Sequence, residues 1–225
     1  MRVIPIGEDS LLVDLDGAEQ AQALYAELRR RGAEGELTGV REIVPAAQTV
    51  LLRGVDAPDG LAAELPRWHV PPLTLDDGPL VEIPVRYDGA DLAIVAALWG
   101  VAPEEVPEVH ARHEHRVAFC GFAPGFGYMT GLPEEYHVPR RDTPRTSVPA
   151  GSVALAGPYT SVYPSSSPGG WQLIGTTRLR LWDVNRDPAA LLTPGTRVRF
   201  VPEDPARPGA GSAAARQPAR NAGPS

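Results

Sequence analysis

The fold of this chain is decided by the stretch Phe119-Cys120-Gly121-Phe122-Ala123-Pro124-Gly125-Phe126-Gly127-Tyr128 and the segment that follows it. Nine glycines and eight prolines occupy the 55 residues from Gly121 to Gly175. Proline removes a backbone donor and clashes with the preceding helical turn, and glycine is entropically costly in a helix. Apolar residues recur between these breakers. The segment therefore predicts short strands joined by turns, with backbone N–H groups and arginine and aromatic side chains displayed on loops.

Short strands are also expected on both sides of this stretch. The β-rich runs are Val81–Tyr87, Arg116–Cys120, Ser152–Ala156, Trp171–Gly175, Leu179–Asp183 and Arg197–Val201. Pro84 indicates an edge or bulged position for the first of them. Two helices are predicted between the first two strands: Asp91–Trp99, with Asp91 as its cap and Gly100 as its stop, and a second from Pro103 to about His113. Short, regularly spaced strands with turn signals are typical of a β-barrel or sandwich.

The N-terminal third predicts a separate small domain. Its elements are a hairpin of Met1–Ile6 and Ser10–Leu15, a helix over Ala18–Arg31 with Gly32 as its C′ residue, strands over Val40–Val44 and Thr49–Arg53, and a helix over Pro58–Leu65. This order indicates an α/β domain over residues 1–78, followed by a β domain over residues 79–201. Residues 202–225 are expected to be disordered, because 15 of these 24 residues are Ala, Pro or Gly.

Composition excludes several classes of function. The net charge of −7 leaves no basic stripe to neutralise phosphates, so a nucleic-acid partner is not expected. We find no signal peptide and no run of about 18 apolar residues, and the single cysteine fits a cytoplasmic protein. All 21 basic residues are arginine. The missing lysine excludes a phosphate-loop lysine, a biotinylated lysine and a Schiff-base lysine within this chain.

Candidate substrate-binding residues come from the glycine- and proline-rich segment. They are Phe122, Gly125, Phe126, Gly127, Tyr128, Arg140, Arg145, Gly151, Ser152, Tyr163, Gly170 and Trp171. The glycines and aromatic residues predict either a backbone nest with an aromatic wall or a tight, well-packed loop. The arginines around residue 140 predict either a carboxylate or phosphate site, because guanidinium groups pair bidentately with oxyanions, or a solvated basic face.

Other groupings leave their alternatives open. Cys120 and the histidines of His110-x-x-His113-x-His115 predict either a Cys–His pair or, more simply, a buried cysteine. On a helix His110 and His113 share a face and His115 does not, so we assign no metal ligand. The segment from Ser165 to Trp171 is either a mobile lid or a hairpin loop whose tryptophan packs in the core. We assign no catalytic residue.

Five motifs in order resemble the allophanate hydrolase subunit 1 family. They are Gly121–Phe126, Pro139-Arg140 with Thr143-Pro144-Arg145, Val148–Ser152, Tyr163-Pro164 and Ser167–Trp171. The family includes the 5-oxoprolinase subunit PxpB and the sporulation kinase inhibitor KipI, and the resemblance covers about Met1 to Val201. His115 stands where family members more often carry tyrosine, and Gly127 where proline or alanine is commoner.

The resemblance implies a fold and a working context. The fold is α+β: a small N-terminal α/β domain followed by a cyclophilin-like β-barrel of the carboxyltransferase type. The context is one component of an ATP-dependent 5-oxoprolinase, which cleaves 5-oxo-L-proline to L-glutamate with ATP hydrolysis. The implied partners are an allophanate hydrolase subunit 2-type protein, which is the C-type component of 5-oxoprolinase, and the A-type component of 5-oxoprolinase. ATP is used by that assembly, and the sequence does not assign ATP binding to this chain.

Two alternatives belong to other classes of protein. A KipI-like regulator would bind a sensor histidine kinase and carry no chemistry. A component of a biotin-dependent carboxyltransferase would act on urea or another amide.

Overall fold

The computed structural model describes residues 1–72 and 78–203. Its helices are α1 Ala18–Glu34, α2 Pro58–Glu64, α3 Leu92–Trp99 and α4 Val106–Ala111, with 3-10 turns at Leu65–Arg67, Pro103–Glu105 and Glu134–Tyr136. Its strands are β1 Arg2–Ile6, β2 Ser10–Asp14, β3 Val40–Pro45, β4 Thr49–Val55, β5 Leu80–Val85, β6 His115–Cys120, β7 Gly127–Thr130, β8 Arg145–Val148, β9 Ser152–Ala156, β10 Tyr159–Val162, β11 Ser167–Gly169, β12 Gln172–Thr176 and β13 Arg197–Pro202. The predicted disordered tail falls, from residue 204 on, outside the described residues.

The strands form three sheets. A four-stranded sheet has the order β1-β2-β4-β3, a seven-stranded sheet the order β12-β9-β10-β7-β6-β13-β5, and β11 pairs with β8 alone. Few helices accompany these strands, and the seven-stranded sheet is barrel-like, which confirms the predicted α+β class. β5 lies at one end of its sheet, as Pro84 within it predicts.

The chain divides into two compact units, and of the described residues the first combines 1–72, 116–130 and 181–195. Its four-stranded sheet is antiparallel throughout. Alternation along β2 buries Leu11 and Val13, and helical spacing along α1 buries Leu24 and Leu28 against β3 and β4. The same unit contains the antiparallel pair β6 and β7, in which Cys120 lies opposite Gly127.

Of the described residues, the second unit combines 78–115, 131–180 and 196–203. Within it β9 pairs with β10 and β12 in antiparallel fashion, and β5 pairs with β13 in parallel. β9 is buried along its whole length, which fits a central strand covered on both faces. Ile83, Val95 and Phe200 are among the large buried side chains of this unit.

Three predicted elements differ from the observed ones. Helix α1 runs a turn beyond Arg31 and ends at Gly35, which adopts φ 76°, so Gly35 and not Gly32 makes the left-handed stop. Residues 179–183 form no strand: Trp182 makes an isolated antiparallel bridge with Ala190, and the Arg186 guanidinium donates to the carbonyls of Leu181 and Ala189. The helix expected over 103–113 is split into a 3-10 turn and α4, because Pro107 stands in the first turn of α4.

Among the described residues, no helix has the length and apolar character needed to cross a membrane.

Candidate functional site

The arginine loop, residues 139–145, is fixed at both ends within the second unit. Gln172 Nε2 donates to the Pro139 carbonyl at 3.1 Å, and the Arg141 N–H donates to the Gly170 carbonyl at 2.8 Å. Arg145 begins β8, where it lies opposite Gly169 of β11. The loop therefore presents its guanidinium groups from a backbone that is held by neighbouring strands.

Two of these guanidinium groups bind one buried carboxylate. Arg141 Nη1 and Arg145 Nη2 each donate to Asp91 Oδ1 at 2.8 Å. The other oxygen, Asp91 Oδ2, accepts the Leu173 N–H at 2.7 Å, and the Asp91 N–H donates to the Leu173 carbonyl at 2.9 Å. Asp91 thus precedes α3, as predicted, but its side chain does not cap that helix. It ties the arginine loop to β12 instead.

The electrostatics of this group favour an ionised carboxylate. Burial by itself raises the pKa of Asp91, but hydrogen bonds from Arg145 and the Leu173 N–H, together with the charges of Arg145 and Arg141, hold that pKa below its ordinary value. Two guanidinium donors remain buried without a hydrogen-bond partner, Arg141 Nε and Arg145 Nη1. One carboxylate and two guanidinium groups leave a net charge of one positive unit in this group.

Arg140 differs from its two neighbours. Its side chain is exposed, and among the described residues it makes no hydrogen bond or ion pair. Of the two arginines predicted to bind substrate, Arg140 is therefore accessible to a ligand, whereas Arg145 uses one of its nitrogens to hold Asp91.

The predicted residues around Gly151 are joined by backbone hydrogen bonds. The Gly151 N–H donates to the Tyr163 carbonyl at 2.7 Å, and the Tyr163 N–H donates to the Ser152 carbonyl at 2.9 Å. The Ser152 N–H and hydroxyl both donate to the Pro149 carbonyl. Gly151 has φ 82°, and a Cβ there would lie 2.2 Å from the Thr177 carbonyl oxygen. These residues close a tight turn and offer few free donors.

The segment predicted to be either a lid or a hairpin loop is packed. Ser167–Gly169 forms β11 against β8, and Trp171 is buried. Gly170 is buried as well, and its carbonyl accepts the hydrogen bond from Arg141. Of the two interpretations, the packed one fits the structure, and it places Gly170 next to the arginine loop.

The aromatic loop of the first unit, residues 121–128, exposes one ring. Phe122 is 61% exposed and adopts φ 66°, a conformation that is unfavourable for a bulky residue. The loop is closed by three backbone hydrogen bonds, from Gly121 to Phe126, from Ala123 to Gly121 and from Phe126 to Ala123. Phe122 is thus displayed on a rigid turn.

The other candidates in this loop are packed against their neighbours. Phe126 is buried, and Tyr128 stacks on Phe119 with ring centroids 4.3 Å apart. A Cβ at Gly125, which has φ 83°, would lie 3.0 Å from Trp182 Cβ, and one at Gly127 would lie 3.3 Å from Val117 Cγ1. The positive φ and the close contact favour glycine at Gly125, whereas at Gly127 a small shift of the Val117 methyl group would make room. These four positions fit the packed-loop interpretation.

The histidines form a buried group in the second unit. His110 is fully buried, with its Nδ1 2.8 Å from the Tyr87 hydroxyl and its Nε2 3.4 Å from Thr160 Oγ1. The His115 ring centroid is 4.9 Å from that of His110, and His115 Nδ1 donates to the His113 carbonyl at 3.1 Å. The lone pair on His115 Nε2 is buried without a partner. Burial lowers the pKa of His115 to about 4, and that of His110 is also lowered well below its ordinary value.

Cys120 is partly exposed, but its thiol is not activated as a nucleophile. Its Sγ lies 3.5 Å from the Leu192 carbonyl oxygen, and burial raises the pKa of the thiol to about 11. The small buried-cysteine interpretation therefore fits better than the Cys–His pair. Within residues 1–72 and 78–203, no three His, Cys, Asp or Glu side chains are grouped to hold a metal ion.

Asp91 is the residue of this region that sequence analysis missed. It lies 50 residues before Arg141 and 54 before Arg145. From the local sequence, an acidic residue just before a helix is interpreted as a helix cap. A usable signal was indirect: three arginines in a rigid loop of an acidic protein predict a carboxylate nearby.

Comparison with known proteins adds a family. Residues 1–192 match the model of the carboxyltransferase domain, subdomain C and D. The B subunit of 5-oxoprolinase from Escherichia coli O157:H7 is 43% identical over 208 residues, which cover 88% of this chain and 94% of that protein. The protein of the same name from Haemophilus influenzae is 36% identical over 212 residues, covering 90% of this chain and 98% of that protein.

Solved structures share the fold. The crystal structure of TTHA0988 has a TM-score of 0.73 and 34% identity, and the alignment covers 89% of this chain and 41% of TTHA0988. This chain therefore spans less than half of that protein. The urea carboxylase of Kluyveromyces lactis aligns with a TM-score of 0.65 at 17% identity, over 90% of this chain and 22% of the carboxylase. At that identity the likeness shows the fold alone.

Proposed function

This chain belongs to the family of carboxyltransferase domains, subdomain C and D, and on that basis we propose that it is a B-type subunit of an ATP-dependent 5-oxoprolinase. The observation that carries the proposal is its 43% and 36% identity, over nearly the full length of both sequences, to two proteins that bear the name of the 5-oxoprolinase B subunit. The assembly converts 5-oxo-L-proline to L-glutamate. It uses ATP as co-substrate and includes subunits of the A and C types as partners.

The chemistry requires more than this chain. A ring amide is a poor electrophile, and ATP supplies the activation that lets water open it. We assign this chain a substrate-binding part and no catalytic residue. The proposal also includes a cytoplasmic location, an N-terminal domain over residues 1–78 and a barrel domain over residues 79–201.

The arginine loop supports the substrate-binding role. Guanidinium groups pair with planar carboxylates through two parallel hydrogen bonds. Arg140 is exposed and unpaired within the described chain, and Arg145 retains a buried donor that Asp91 does not use. We assign the substrate carboxylate to this loop. Phe122 is a separate candidate on the aromatic loop of the first unit: its ring is exposed, whereas those of Phe126, Tyr163 and Trp171 are buried.

The test is ATP-dependent release of glutamate from 5-oxoproline by this chain co-expressed with the products of its neighbouring genes. We expect activity from the complete set and none when this chain is omitted. A well-formed complex without activity would favour a carboxyltransferase component, and the absence of any complex would favour a KipI-like regulator.

A point variant sharpens the test. Arg140→Ala removes an exposed side chain without ion pairs, so the midpoint of unfolding is expected to stay close to that of the wild type. The KM for 5-oxoproline in the complex is expected to rise at least tenfold. Arg199→Ala is the matched control, since Arg199 is an arginine of the same unit whose side chain is 49% exposed and pairs with Glu82. Equal KM values for both variants would remove Arg140 from the site.

A further inference from the structure

We propose that Asp91, Arg141 and Arg145 form an anion-binding site that takes one carboxylate or phosphate group of a ligand, with Asp91 as its positioning residue. The inference rests on the proposed function for its choice of ligands. It assigns a role to Asp91, which the sequence did not single out for anion binding, and it selects Arg141 and Arg145 from the arginines around residue 140. Its physical basis is the arrangement of charges and unused donors around one buried carboxylate.

The first argument is charge. The Asp91 side chain is 2% exposed, and those of Arg141 and Arg145 are 30% and 22% exposed. Both arginines contact the same oxygen, Asp91 Oδ1, and the other oxygen is taken by the Leu173 N–H. No other carboxylate of the described chain pairs with either guanidinium group. One positive charge in this half-buried group is therefore uncompensated, and such a charge favours a counter-anion.

The second argument is hydrogen bonding. Arg141 Nε and Arg145 Nη1 are N–H donors removed from solvent and without an acceptor in the described part of the protein. A buried unpaired donor is costly, and charged donors are the costliest. An oxyanion supplies several acceptor positions, so a single carboxylate or phosphate can satisfy donors from two guanidinium groups.

The third argument is rigidity. Asp91 is joined to β12 through two hydrogen bonds with Leu173. Arg141 is fixed through its own N–H to Gly170, and Arg145 through the β8–β11 ladder. A ligand therefore meets guanidinium groups that are already oriented, which lowers the entropy cost of binding. By occupying one nitrogen of each arginine, Asp91 selects which donors remain for the ligand.

A purely structural role for the three residues predicts something different. If the arginines serve only to neutralise Asp91, the wild-type chain has no measurable affinity for an anion, and affinity appears only when Asp91→Asn leaves both guanidinium charges uncompensated. If they form a site, the wild-type chain binds an anion, Asp91 opposes that anion by Coulomb repulsion, and Asp91→Asn increases an affinity that is already present. Binding to the wild-type chain, and its loss in Arg141→Gln, separates the two interpretations.

The experiment measures binding to the isolated full chain by isothermal titration calorimetry at constant ionic strength, with chloride as the reference salt. Inorganic phosphate and 5-oxoproline are separate probes, so they distinguish a phosphate ligand from a carboxylate ligand. We expect wild-type protein to bind at least one of them. Arg141→Gln should weaken binding at least tenfold, and Asp91→Asn should tighten it several-fold.

Controls keep the outcome clear. Arg199→Gln changes the net charge of the chain by the same unit as Arg141→Gln, and it should leave the affinity unchanged. If Asp91→Asn does not fold, the pair Arg141→Gln and Arg199→Gln decides alone. Equal affinities in these two variants, or no binding of either probe to wild type, would overturn the site. Activity of the complete complex together with no binding would reject this inference and leave the proposed function standing, whereas binding in an inactive complex would do the reverse.

Discussion

We predict that acid destabilises this protein through its buried histidines, His110 and His115, and His115→Leu is the variant that tests the prediction. The ordinary pKa of histidine is about 6.5, and burial lowers that of His115 to about 4 in the folded chain. The folded state therefore binds a proton less readily than the unfolded state between these two values. Stability from His115 is fully present above pH 6.5 and is lost progressively as the pH falls towards 4.

The magnitude follows from the difference between the two pKa values. Each pH unit below 6.5 removes about 1.4 kcal/mol, so at pH 5 the loss due to His115 is about 2 kcal/mol. The groups that contact the His115 ring are the His110 ring, the His113 carbonyl and the Phe200 ring, and none of these is an anion. The pKa of His110 is lowered in the same direction, so His110 adds to the loss.

Replacing His115 by leucine puts an apolar side chain of similar size in its place and removes the unpaired Nε2 atom. We expect little change in stability at pH 7.5, since a buried unsatisfied acceptor is lost together with one hydrogen bond. The decrease in the free energy of unfolding from pH 7.5 to pH 5 should become smaller by about 2 kcal/mol.

The assay is guanidinium unfolding followed by circular dichroism at both pH values. His69→Leu is the matched control, because it makes the same substitution at an exposed position. If His115→Leu loses as much stability on acidification as the wild type does, burial of His115 is not the source of the acid sensitivity.

Three further predictions concern stability and reactivity. Gly151→Ala should lower the free energy of unfolding by about 2 kcal/mol or more, because an alanine there combines φ 82° with a Cβ 2.2 Å from the Thr177 carbonyl oxygen. Gly32→Ala inside α1 should raise it by about 0.5–1 kcal/mol. Thermal unfolding of both variants checks that the two changes have opposite signs. Cys120 should react with a disulfide reagent at pH 8 far more slowly than a free thiol, since its pKa of about 11 leaves roughly a thousandth of the thiol ionised. Unfolding the protein in guanidinium should raise the reaction rate to that of a free thiol. Rapid labelling of the native protein would contradict this prediction. Phe122→Gly should raise the free energy of unfolding by about 1 kcal/mol relative to Phe122→Ala, because glycine adopts φ 66° without steric strain and alanine does not. Equal stabilities of the two variants would show that the turn is not strained.

Local sequence patterns determined the elements of this fold well. Patterns within one element can be recognised without tertiary information. Examples are the alternation of Leu11 and Val13 in β2 and the helical spacing of Leu24 and Leu28 in α1. Pro84 also indicated an edge strand from the sequence alone, because proline lacks the backbone N–H that a central strand needs for pairing. The expected strand at residues 179–183 was wrong: within that window Trp182 makes an isolated bridge with Ala190, and the Arg186 side chain, from outside the window, donates to the Leu181 carbonyl.

The family and the arginine loop could also be identified from sequence, because motifs of fixed spacing carry them. The pairing of that loop could not, since Asp91 meets Arg141 and Arg145 only after the chain folds. Ion pairs depend on distance in space. The sequence around an aspartate that precedes a helix therefore gives no information about a guanidinium group 50 residues away. Residue types thus determined which groups are charged or aromatic, and the tertiary structure decided which of them are buried, paired or left for a ligand.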